Sequence, residues 1–84
     1  LARQSVEVRV HDAHTGALLP HATVENLTPA RRQRTPVGWL FLNVNRRLSV
    51  SVSAVGYLPA IASWNAPYPW RLRGRLDVHL APAQ

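Results

Sequence analysis

Cysteine and lysine are both missing from this chain of 84 residues, acidic residues number only four, and no apolar run approaches the length of a membrane span. Without cysteine, neither a disulfide framework nor a thiolate metal site can hold the structure together, and the compartment stays open. A spanning helix needs about 20 apolar residues, and residues 1–5 carry no signal-peptide hydrophobic region, so no transmembrane segment is expected. Nor does any segment show the 3.6-residue period of an amphipathic helix.

What is present suits a folded domain. Hydrophobic residues make up 46% and charged ones 17%, the opposite of a disordered composition. A chain of this length supports one core and not two, burying about 60% of its unfolded surface. We therefore expect one domain over 1–84, and the start at Leu1 rather than Met reads as that of a piece excised from a longer protein. Net charge is +6, and all ten basic residues are arginine. Two readings compete: an anionic partner, or arginine kept on outer faces for solubility.

Strict alternation is the dominant signal. Val6, Val8 and Val10 alternate with Glu7, Arg9 and His11, and Leu48, Val50 and Val52 with Ser49, Ser51 and Ser53. Leu72, Leu76, Val78 and Leu80 alternate with arginines, Asp77 and His79, and Gly74 on the apolar side marks a bend or a close neighbour. Seven prolines and four glycines punctuate the chain. Their spacing of about 8 to 12 residues is that of a sandwich or barrel. The pattern predicts six strands, at 4–12, 21–27, 38–44, 47–55, 58–64 and 71–80, with 28–37 a solvated loop. Antiparallel strands with one apolar face bury it against a second sheet, so the expected fold is all-β, a small two-sheet antiparallel β-sandwich of six to seven strands.

The order of features is similar to that of a known family. The segment from Val8 through Asp12, Thr15, Gly16, Leu19 and Pro20 to Ala22, Thr23 and Val24 resembles the opening of carboxypeptidase regulatory-like domains. Thr35 and Gly38 before Leu40 and Leu42 resemble its turn into the third strand, Val55, Gly56 and Tyr57 its corner, and Leu76–Leu80 its closing strand. The chain departs from the family at Pro36, where an acidic residue usually follows the threonine. The resemblance implies a transthyretin-like (prealbumin-like) Greek-key sandwich and a non-catalytic accessory module of a larger surface, exported or secretion-system protein. It favours a periplasmic, cell-surface or secreted bacterial setting. The physical roles are structural: Asp12 accepts from amides of its turn, Gly16 supplies a positive φ, and Tyr57 buries its ring while its hydroxyl reaches a partner.

Catalytic chemistry finds little support. The hydrolase of 5-hydroxyisourate shares the fold, but its first-strand histidine is replaced by Arg9 and its closing signature by Leu80-Ala81-Pro82-Ala83-Gln84. No nucleophile elbow, phosphate-binding glycine loop or zinc-protease motif occurs. His11, His14, His21 and His79 lack a carboxylate cluster at ligand spacing. We therefore expect no enzyme, no cofactor and no metal.

The expected function is instead a protein-interaction or adaptor module, contacting a protein partner or a neighbouring domain of the parent chain. If Leu40, Leu42 and Val44 face the core, Trp39 and Phe41 point outward as a contact surface, unless a shifted register buries Trp39. The connection 65–70 is stiffened by two prolines and presents Tyr68 and Trp70. Arg71, Arg73 and Arg75 form a ladder on one strand face. Alternating strand directions would gather His14, Thr15 and Gly16, then Arg46 and Arg47, then Tyr68 and Trp70 at one end, with Arg31, Arg32 and Arg34 beside Tyr57 at the other. The alternative is a carbohydrate-binding accessory module using exposed Trp and Tyr. Nucleic acid ranks third, for want of a binding motif.

Overall fold

A computed structural model of the chain describes residues 4–67 and 73–84. Seven strands follow one another: β1 (Gln4–Asp12), β2 (Thr23–Asn26), β3 (Arg31–Thr35), β4 (Gly38–Val44), β5 (Arg47–Ser53), β6 (Ala60–Asn65) and β7 (Arg73–Leu80). They build two sheets, one in the order β3-β4-β1-β7 and one in the order β2-β5-β6. β1 and β7 run parallel, and the other neighbours are antiparallel. Among the described residues there is no helix, and the chain is an all-β sandwich.

The alternating segments fold as their period dictates. Val6, Val8 and Val10 of β1 and Leu48, Val50 and Val52 of β5 are buried, joined from other strands by Val24, Phe41, Val44, Val78 and Leu80. Each such side chain contributes about 1.5–3 kcal/mol by leaving water. Gly74 meets a close neighbour, because a Cβ there would run into the Trp64 ring reaching across from β6. That contact joins the two sheets where glycine leaves room for an indole.

Three expectations are corrected. The segment 28–37 is not a solvated loop, since it contains β3. Arg31-Arg32-Gln33-Arg34-Thr35 shows no apolar alternation because, among the described residues, it is a sheet edge with a neighbour on one side only, and four of its five residues are exposed. The phase of β4 is also reversed. Phe41 is fully buried and Trp39 packs against the core, whereas Leu40 and Leu42 lie on the outer face. Val44 nevertheless faces inward, because β4 carries one extra residue. Gln4 pairs with Val44 but Val6 with Phe41, and Asn43 adopts φ 59° at the resulting bulge. Asparagine is one of the few side chains that enter this region at low cost. Alternation counted back from Val44 therefore crosses a change of phase.

The third correction follows from the first. A seventh strand adds one reversal, so the turn holding His14, Thr15 and Gly16 lies beside Tyr57 rather than beside Arg46. The Tyr57 hydroxyl donates to Asp12 at 2.7 Å. The opposite end brings together Thr28, Arg47 and Ala66: Thr28 Oγ1 donates to the Arg47 carbonyl, and the Ala66 amide to that of Arg46. Arg31, placed beside Tyr57 by the earlier count, belongs with this end, where it pairs with Leu42.

Candidate functional site

One end of the sandwich is fastened around a single carboxylate. β1 ends at Asp12, whose Oδ1 accepts the amides of His14 at 2.7 Å and Thr15 at 2.9 Å, while Oδ2 accepts the Tyr57 hydroxyl. Gly16, at φ 77°, closes the turn. The Tyr57 hydrogen bond first, then the two amides, lower the Asp12 carboxyl to about 2 against the ordinary 3.8. The same bond raises the Tyr57 phenol. Residues beyond β7 stitch the end together, because the amides of Leu58 and Ala83 donate to the carbonyls of Ala81 and Gly56.

On this base stand apolar side chains that face water. Val55 is fully exposed and Leu58 is 54% exposed. Val55 lines a depression of about 260 Å³ together with Leu18, Leu19, Pro20 and Tyr57 among others. Sequence reasoning took Tyr57 and Gly56 as structural and passed over this group. The available signal was that Leu18, Val55 and Leu58 are apolar residues in connections or at the margins of the expected strands, outside every alternating run.

The opposite end is basic. A hollow of about 360 Å³ is lined by Thr28, Pro29, Asn43, Asn45, Arg46 and Arg47. The start of the last connection lies against it through Ala66. Tyr68 and Trp70, expected to complete this surface, and Arg71, expected to begin the arginine ladder, lie outside the described residues.

Trp39 and Phe41, expected as an exposed contact surface, serve the interior instead. The Trp39 Nε1 donates to the Ala22 carbonyl at 3.0 Å, Arg34 to Pro20 at 2.9 Å and Arg32 to Val24 at 2.7 Å. Three alternate carbonyls, of Pro20 and Ala22 ahead of β2 and of Val24 within it, are thus capped from β3 and β4. Both guanidinium groups also lie against the indole, 4.7 and 4.8 Å from its centroid. The order of these acceptors sets the ring between the two cations, an arrangement favoured by the ring quadrupole. One side of the sandwich is closed by this stack, and the edge of β2 is covered.

The outer face of the four-stranded sheet carries paired charges. Arg9 meets Glu7 at 3.1 Å, and Arg75 Nε meets Asp77 Oδ2 at 3.0 Å. Arg73 and Arg75 share this face as the ladder requires, with Asp77 continuing it. His11 Nε2 lies 2.8 Å from Asp77 Oδ1, and its ring stacks on His79 with centroids 5.0 Å apart. Burial pushes the Asp77 carboxyl up, but the hydrogen bonds and charges of Arg75 and His11 outweigh it and hold the value below the ordinary one. An Asp–His pair can orient a general base. Here the other ring nitrogen faces the Gly16 carbonyl at 3.4 Å, not a hydroxyl or thiol to activate. Among the described residues, no three His, Asp or Glu side chains gather as they would around a metal ion, and no helix is long and apolar enough to cross a membrane.

In comparisons with known proteins, no family model matches the chain and no curated protein matches it.

Proposed function

We propose that this domain is a non-catalytic protein-interaction module, an accessory sandwich that docks a partner or a neighbouring domain. The observation that carries this reading is the apolar end, where exposed Val55 lines the Leu18–Pro20 depression with Tyr57, and Leu58, next in the chain, is exposed too, on a base held by Asp12 and Tyr57. Contiguous exposed apolar side chains mark contact surfaces, and a pre-organised base lowers the entropic cost of binding. The resemblance to carboxypeptidase regulatory-like domains supports the same reading and an exported or cell-surface setting. The carbohydrate-binding alternative loses support, because Trp39 and Trp64 turn toward the core.

A photoreactive side chain placed at Val55 or Leu58, with Ile61 as the exposed control on another face, tests the proposal in the source organism. A discrete protein adduct, or an intramolecular one to an adjoining domain, is expected from the first two positions only. Equal labelling from Ile61, or adducts at none of the three, would remove the apolar end as the docking site.

A further inference from the structure

The charge of this domain is unevenly placed. Among the described residues, Arg31, Arg32, Arg34, Arg46 and Arg47 make no ion pair; the first three lie on β3, Arg47 begins β5 and Arg46 immediately precedes it. The four acids are engaged or elsewhere. Glu7 holds Arg9, Asp77 holds Arg75 and His11, and Asp12 holds its turn and Tyr57. Glu25 sits on the exposed face of the other sheet.

β3 is also an open edge. Its backbone bonds to β4 on one side, and among the described residues no strand lies on the other. Arg32 and Arg34 do not cover that edge, because their side chains turn across the sandwich to the carbonyls of Val24 and Pro20. Unpaired backbone groups on an edge are a template for another strand. A second copy of β3 would set arginine against arginine and be repelled, so the charge selects the occupant as well as protecting the edge.

We propose that the open edge of β3 receives an extended acidic segment of a partner protein, which adds a fifth strand to the four-stranded sheet. Backbone hydrogen bonds supply the pairing. Carboxylates at alternate positions, about 7 Å apart along the segment, meet Arg31 on the outer face or the Arg32 and Arg34 pair on the inner one. Arg46 and Arg47 continue the positive surface past the start of the strand. The inference rests on reading the domain as a protein-binding module but uses a different surface from the apolar end, so crosslinking at Val55 and occupation of β3 can each fail alone.

The test is an amide-resolved NMR titration of the 84-residue chain. Its probes are a blocked peptide of about ten residues alternating Glu and Thr, the same peptide N-methylated at alternate residues, a Lys–Thr counterpart and a heparin fragment. The acidic peptide is expected to shift the amides of 31–35 and slow their exchange. Its Kd should rise about tenfold or more between about 50 and about 200 mM salt. N-methylation should weaken binding about tenfold, Arg31→Glu about fivefold, and the Lys–Thr peptide should not bind. Equal affinity for the N-methylated peptide would show charge without strand pairing. Shifts confined to other strands, tighter heparin binding at the same residues, or no response at about 1 mM peptide would each overturn the proposal.

Discussion

The two ends of this sandwich are built on opposite principles. At the apolar end the polar groups are spent inward: Asp12 takes three hydrogen bonds, Tyr57 gives its hydroxyl, and the last residues bond to the corner, so that Val55 and Leu58 can face water without collapsing onto the core. At the basic end, among the described residues, the charges have no carboxylate partners and the buried Gln4 Oε1 has no hydrogen-bond partner. An end that displays apolar groups needs a fixed base, whereas one that displays guanidinium groups is kept apart by solvation and repulsion. Both ends are hydrogen-bonded, the basic one through Asn26 and Thr28, but only the apolar end is held by a carboxylate beneath exposed apolar groups.

The largest expected effect falls on the core that both ends share. Phe41→Ala should cost about 3–5 kcal/mol, a large part of the stability of so small a domain. Leu42→Ala, on the outer face, should cost well under half as much by urea denaturation. A larger loss for Leu42→Ala would restore the outward phase for Phe41 and undo the assignment of the β4 bulge.

Acid should strike the apolar end first. Asp12 is ordinarily protonated near 3.8 and in the fold near 2, so its contribution is complete above the ordinary value and is lost as pH falls from there toward 2. Asp77, also lowered, acts in the same direction. Thermal melts should fall over this window in the wild type, and the Asp12→Asn variant should start lower with a flatter profile. A variant profile parallel to wild type would mean that Asp12 does not fasten this end.

Smaller effects separate the ends further. Gln4→Met removes the orphan oxygen at the basic end and should raise stability by about 1 kcal/mol. Exposed changes should barely move the denaturation midpoint: Val55→Ser with Leu58→Ser, and Arg46→Ala with Arg47→Ala, are each expected within about 0.5 kcal/mol of wild type. Only the arginine pair should elute earlier from a cation exchanger, and only the apolar pair should lose crosslinking to the partner.

Much of the fold was legible because β1, β5 and β7 repeat with the period of a half-buried strand, and Asp12, Gly16 and Tyr57 are turn and corner residues whose chemistry has few other uses. The rest was hidden by two local features. β3 has no apolar face to announce it, since Arg32 and Arg34 reach across to the carbonyls of Val24 and Pro20, which sequence cannot show. The bulge at Asn43 then reversed the phase of Trp39 and Phe41, moving a proposed contact surface into the interior. The strand count and the grouping of loops at each end followed from the first of these.

Amide hydrogen exchange in wild type and in Tyr57→Phe tests the contrast between the ends most directly. The amides of Ala13, Leu58 and Ala83 are expected to be protected in wild type and to lose protection together in the variant, while those of Leu27 and Ala66 at the basic end keep theirs. Loss spread evenly over both ends, or Leu58 and Ala83 unprotected already in wild type, would contradict a fastened apolar end.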